Sequence, residues 1–209
     1  MDTTILIVDD SPYIVDGLVA LLKRKDYKVI PANGGEEALA LLATVRPDLV
    51  LLDIMMEPMD GWETLDRIKA NPATRDLPVL MFSAKKITAD EAKEHCLNIE
   101  DFVSKPVNPA QLLDAIKRIF ERRNDLKMEA LAAKDAGIGA DLIEEYTTLR
   151  KSVEVDRHLL QVLKKSHGVQ HPGRDVPEAD IEEIRKLGEK IEKDEKRLNE
   201  INGQFPGTS

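Results

Sequence analysis

The stretch Ile5-Leu6-Ile7-Val8-Asp9-Asp10 decides the fold. Four consecutive aliphatic residues with no polar alternation describe a strand buried on both faces, as in a parallel sheet covered by helices. Two carboxylates follow at once. Pro12 comes next but one, and suits the first turn of a helix. The same unit recurs along the chain. Strand-like runs fall at Lys28 to Ala32, Leu49 to Asp53, Val79 to Ser83 and Asp101 to Ser104. Between them lie stretches with helical spacing at Ile14 to Lys25, Gly35 to Ala43, Gly61 to Ala70 and Thr88 to Cys96, and another starts at Pro109. Five β-α units in alternation predict an α/β fold with a parallel sheet and helices on both faces.

The pattern changes near Asn124. Beyond it only Tyr146 and Phe205 are aromatic, and short β-branched runs stop. Leu142, Tyr146, Leu149, Val153, Asp156, Leu160 and Leu163 recur in steps of three and four, as do Ile184, Leu187, Ile191, Asp194, Leu198 and Ile201. These stripes predict helices over 140–166 and 178–202, joined by a loop at 167–177 that holds two glycines and two prolines. The division expected is 1–123 for the α/β domain and 124–209 for an all-helical extension, either an antiparallel hairpin or a coiled coil. Asp156 and Asp194 interrupt the apolar stripes: either they are buried there, where a polar residue specifies register at a cost in stability, or they face solvent along a weak, frayed seam. The helix that starts at Pro109 keeps its apolar spacing through Leu112, Ile116, Ile119 and Phe120, and helix formers continue it to about Lys134.

The 209 residues carry 39 acids and 30 bases, a net charge of -9. The excess is shared, with -5 before and -4 after Asn124. Such a chain does not bind nucleic acid or anionic membrane through bulk attraction. A lone cysteine, Cys96, excludes an internal disulfide and is expected to be a buried thiol. No apolar run approaches the roughly 18 residues of a membrane span. No basic region precedes a long apolar core either, so the expected location is the cytoplasm.

In open parallel sheets, ligands bind outside the carboxyl ends of the strands. There this sequence places Asp9 and Asp10 after the first strand, Asp53 at the end of the third, Ser83 at the end of the fourth and Lys105 after the fifth. Three carboxylates on one rim repel each other and call for a positive partner. A hard divalent cation with oxygen ligands is the simplest, and Mg²⁺ favours a few carboxylates, waters and a phosphate oxygen. Lys105 is a compact charge suited to a phosphoryl oxygen, Ser83 can donate to another, and Asp53 would be the nucleophile that forms an acyl phosphate.

The residues Ile5-Leu6-Ile7-Val8-Asp9-Asp10, Leu52-Asp53-Ile54-Met55-Met56, Met59-Asp60-Gly61, Ser83-Ala84 and Lys105-Pro106 resemble the receiver domain of the two-component response regulators. The resemblance covers 1–123. It implies a flavodoxin-like fold with strand order 2-1-3-4-5. It implies Mg²⁺ held by Asp9, Asp10, Asp53 and the backbone carbonyl of Met55, and phosphorylation of Asp53 by a sensor histidine kinase. Ser83 and Lys105 would read the phosphoryl group, and Phe102 would be the aromatic switch residue. Phosphorylation would then bias the face made by the segments 88–96, 101–104 and the helix from Pro109. One departure stands out: Glu57 occupies the place where the family usually has proline, and Pro58 follows. By the same resemblance, Met55 and Lys85 would hold the positions that tune phosphoryl lifetime in that family.

Alternative readings are weaker. Phosphatases with an aspartate nucleophile need a second aspartate two residues on, and Met55 is there instead. A transcriptional effector needs a basic recognition helix, which the acidic tail lacks. His158 has Leu159 and Leu160 after it, unlike a phosphotransfer helix, and His167 and His171 lack zinc spacing. Gly137-Ile138-Gly139 follows no strand, and Leu142 stands where a dinucleotide loop has its third glycine. The tail is expected to be an interaction module for a protein partner or for a second copy of the chain.

Overall fold

A computed structural model of the chain describes residues 3–84, 95, 97–166 and 177–205. Most of the expected helix 88–96, with Lys85 and Cys96, lies outside the described residues. So do 167–176, with His167 and His171.

Five parallel strands, β1 (Thr4–Val8), β2 (Lys28–Ala32), β3 (Leu49–Asp53), β4 (Val79–Ser83) and β5 (Asp101–Ser104), form one sheet in the order β2-β1-β3-β4-β5. The helices of the α/β part are α1 (Pro12–Lys23), α2 (Gly35–Leu42) and α3 (Gly61–Ala70), and α4 (Pro109–Asp135) begins there. The aliphatic runs behave as their composition requires. Every residue of β3 and β4 is buried, as is β1 from Ile5 to Val8. β2 is an edge strand and tolerates Pro31. Register pairs Asp53 with Phe82 and Ser83 with Ser104, which brings the strand ends to one rim.

The chain divides into two compact units. The first comprises residues 1–85 and 98–116, the second 86–97 and 117–209. In the first unit, the turn from β3 into α3 is set by close approach. Asp60 caps α3 by accepting from the Glu63 amide at 2.8 Å, and the Gly61 amide donates to the Ile54 carbonyl at 2.9 Å. A Cβ on Gly61 would lie 2.0 Å from the Asp53 carbonyl oxygen and 2.7 Å from the Ile54 Cα. Backbone cannot yield as a side-chain tip can, so Gly61→Ala is expected to cost about 3 kcal/mol by urea unfolding. A loss under about 0.5 kcal/mol, the range of an ordinary surface substitution, would show that the turn relaxes freely.

In the second unit, α4 runs unbroken to Asp135, one residue beyond the extent expected from composition. α5 (Ala140–Ser166) and α6 (Glu178–Asn202) pack against each other within the chain. Gly137, with φ of +81°, makes the turn between α4 and α5. Ala133, Tyr146, Ile201 and Phe205 form a buried cluster, flanked by Ile138, Leu142, Ile143, Leu149 and Leu198. The Tyr146 and Phe205 rings stack with centroids 3.9 Å apart.

The buried face of α5 is wider than a heptad seam. Val155 and Leu159 are buried beside Val153, Asp156 and Leu163, while Leu160, expected in the stripe, is only half-buried. The reason is that α5 has neighbours on two sides. Arg122 and Glu129 of α4 pair with Glu154 and Arg150 of α5, each at 3.6 Å, while α6 covers the other side. His158 is half-buried on α5. Lys151 donates to the Leu97 carbonyl at 3.1 Å.

Burial pushes the Tyr146 phenol up from its ordinary value, against an opposing pull from Arg150. A pKa raised by folding contributes stability that is complete below the unfolded value of about 10 and is lost as pH rises through the folded one. The helical unit is therefore expected to lose stability above about pH 10, and Tyr146→Phe to flatten that loss. Thermal melts of both chains between neutral and alkaline pH check this; superimposable alkaline profiles would contradict it. Among the described residues no helix is long and apolar enough to cross a membrane.

Candidate functional site

β1 and β3 deliver the acids. Carboxylate oxygens of Asp9, Asp10 and Asp53 all lie within 4.8 Å of one another. Asp9 and Asp53 are buried and Asp10 is exposed, so the cluster runs from the interior to the surface. The loops are tied to these acids. The Ser11 amide donates to Asp9 Oδ1 at 2.8 Å, which fixes the start of α1 against the site. The Glu57 amide donates to Asp10 Oδ2 at 3.2 Å, so the loop that departs from the family pattern touches the cluster through its backbone. The bonds Glu57–Pro58 and Lys105–Pro106 are cis.

Lys105 reaches in from the end of β5. Its Nζ donates to Asp9 Oδ2 at 2.8 Å and to Asp53 Oδ2 at 2.7 Å. These ion pairs are largely withdrawn from water, and charge-assisted bonds are stronger there than at a surface. One lysine faces three carboxylates, so the cluster keeps an excess of negative charge. Burial pushes the Asp53 carboxyl up, opposed by the hydrogen bond and charge of Lys105. Asp53 Oδ1 is buried and has no hydrogen-bond partner among the described residues. A buried acceptor beside two further carboxylates is consistent with a divalent metal site.

Of the residues expected from sequence, Asp9, Asp10, Asp53 and Lys105 are thus brought together. Ser83 is buried at the end of β4, and its carbonyl accepts from the Lys105 amide at 2.8 Å. Met55 lies two residues beyond Asp53 with 55% of its surface exposed. Phe102 is buried in β5. Sequence reasoning missed Phe82, whose ring lies under the Lys105 ammonium. In sequence it is one more apolar residue of a buried strand, and nothing distinguishes it there.

A five-stranded 2-1-3-4-5 sheet with an acidic cluster and a lysine at its carboxyl rim defines a class of protein. The model for the response regulator receiver domain matches residues 5–117, more than half of the chain. The chain belongs to that family. A second model, metanogen output domain 2, matches residues 122–209, so the receiver is followed by a helical output domain.

The response regulator GtcR of Aneurinibacillus migulanus is 34% identical over 143 residues, covering 66% of this chain and 57% of that regulator. The chain thus spans little more than half the length of that relative. The N-terminal domain of a response regulator receiver protein from Methanoculleus marisnigri JR1, known as a crystal structure, shares 59% identity with a TM-score of 0.48. The match covers 55% of this chain and 94% of that one. A CheY-like receiver domain protein from Methanospirillum hungatei JF-1 matches with TM-score 0.54 at 28% identity, over 60% of this chain and 99% of that one. The acidic triad is consistent with a divalent metal site.

Proposed function

We propose that the chain is a phosphoacceptor switch, with residues 1–123 as receiver and 124–209 as an interaction module. The observation that carries this is Asp53 itself: one oxygen is held by Lys105, and the other is buried, has no hydrogen-bond partner among the described residues and lies beside two more carboxylates. Asp9, Asp10 and Asp53, with the Met55 backbone carbonyl, would hold Mg²⁺, which when bound neutralises charge on the transferring group. An oxygen of Asp53 attacks the phosphorus of the kinase's phosphohistidine. The P–O bond forms as the P–N bond breaks, and the imidazole nitrogen leaves with the electron pair. Lys105 gives up Asp53 for a phosphoryl oxygen, and Ser83 donates to another. The loop after β5 follows, and Phe102, without a hydroxyl, answers by its degree of burial.

Three things support a switch over a turnover enzyme or a DNA-binding effector. Met55 occupies the place where an aspartate phosphatase needs its acid/base. The tail beyond Asn124 carries a net charge of -4, which argues against a DNA-binding effector. Helix α4 starts in the receiver and ends in the buried cluster of the output helices, a continuous element able to carry a signal. The output partner is then a protein or a second copy of the chain, and the working location is the cytoplasm, where the kinase's phosphohistidine is presented. Incubation with acetyl phosphate and Mg²⁺ tests the central point. Labelling at one site that decays slowly is expected; multiple-turnover phosphate release at enzymatic rates would sink the switch reading. Sedimentation with and without beryllofluoride and Mg²⁺ then separates a homodimer, which gains mass, from a regulator that engages another protein.

A further inference from the structure

Lys105 has a neighbour besides its two carboxylates. Its Nζ lies over the ring of Phe82, 4.8 Å from the ring centroid. Phe82 is 1% exposed in β4 and cannot swing away. Its own carbonyl accepts from the Ile54 amide at 3.2 Å, and the next carbonyl, Ser83, accepts from the Lys105 amide at 2.8 Å. The ring is therefore tied by backbone to the residue after Asp53 on one side and to the lysine on the other. The Lys105 side chain is only 12% exposed. A cation within about 6 Å of a ring centroid is drawn to the ring's negative face, and more strongly when desolvated.

The ring differs in kind from the carboxylates. Asp53 surrenders its hold on Lys105 once its oxygen is phosphorylated, whereas the ring face is neutral and unchanged by the reaction. It attracts over a broad area and does not demand one donor direction. We propose that Phe82 is a positioning residue for phosphoryl transfer, a fixed shelf that keeps the Lys105 ammonium in the site while it exchanges a carboxylate for a phosphoryl oxygen. This rests on the reading of Asp53 as phosphoacceptor. Fluorination keeps the ring's shape while weakening its negative face, and a leucine stays apolar but has no such face, so a purely structural role and a positioning role predict different results along the fluorinated series.

The test uses the full chain with Phe82 replaced in turn by mono-, di- and trifluorinated phenylalanine, which drain the ring face with little change in shape, and the variant Phe82→Leu. Two quantities are measured: the initial rate of labelling from acetyl phosphate with Mg²⁺, and the proton shift of the Lys105 ε-methylene in the chain without donor. The rate is expected to fall stepwise along the series, reaching about ten-fold in the trifluorinated chain and in Phe82→Leu. The ε-methylene is expected upfield in the unsubstituted chain and at its ordinary position in Phe82→Leu. A flat rate across the fluorinated series would overturn the positioning role, and an ordinary ε-methylene shift in the unsubstituted chain would overturn the contact. No labelling of the unsubstituted chain at all would overturn the phosphoacceptor reading and this role with it. Labelling with a flat series overturns this role alone.

Discussion

Asp53→Asn is expected to take no label from acetyl phosphate and Mg²⁺, a fall of at least about a thousand-fold, while melting no lower than the unsubstituted chain. An amide oxygen lacks the charge to attack phosphorus and cannot yield an acyl phosphate. The fold should not suffer, for a reason visible in the site. Three carboxylates face one ammonium, and removing one relieves repulsion. Lys105 keeps its bond to Asp9 at 2.8 Å. A gain of roughly 1 kcal/mol is the usual size of such relief, because functional clusters are held at some cost in stability. Mg²⁺ should reverse the order: it should raise the melting temperature of the unsubstituted chain by mass action and that of Asp53→Asn much less. Labelling of Asp53→Asn would move the acceptor to another residue. Equal stabilisation of both chains by Mg²⁺ would remove Asp53 from the cation site.

Lys190→Met is expected to destabilise the helical unit by about 3 kcal/mol, the low end for a broken buried pair because the lysine is about one third exposed. Asp156 is fully buried on α5. Its Oδ2 pairs with Lys190 of α6 and accepts from Ser152 Oγ at 3.2 Å, while Oδ1 has no partner among the described residues. Lys190 also donates to Ser152 Oγ at 2.8 Å and to Asp194 Oδ2 at 3.0 Å. Removing the lysine strands a buried carboxylate. Removing the aspartate leaves a lysine that still has Asp194 and water, so Asp156→Asn should cost less, about 1 kcal/mol. Replacing both by apolar residues of similar volume should restore most of the loss. Urea unfolding followed by far-ultraviolet circular dichroism measures the order. If Asp156→Asn cost more than Lys190→Met, the account of the stranded charge would be wrong.

These two sites were legible in the sequence to different degrees. Asp9, Asp10, Asp53 and Lys105 were readable because strands of a parallel sheet end on one rim, so residues at strand ends must meet there once the strands are recognised. Asp156 and Asp194 were readable as interruptions of apolar stripes, but whether they face water or core was not. That depends on which residue of α6 stands opposite, and Lys190 lies 34 residues away from Asp156. The narrow stripe through Leu160 was misjudged for a related reason. A heptad count assumes one partner helix, and α5 has α4 on one side and α6 on the other, which broadens its buried face.

The order of strong apolar runs, their terminal carboxylates and the long helices beyond Asn124 follow from local composition and period, and these determined the class of fold, the rim and the helical tail. Tertiary structure decided what spacing does not encode. The hairpin closes within the chain, Asp156 is buried on a lysine, and Lys105 bridges two acids while resting on the face of Phe82. Each of these depends on side chains distant in sequence meeting at distances of a few ångströms, where direction and burial set the energy. Periodicity records which face a residue occupies, not what waits on the other side.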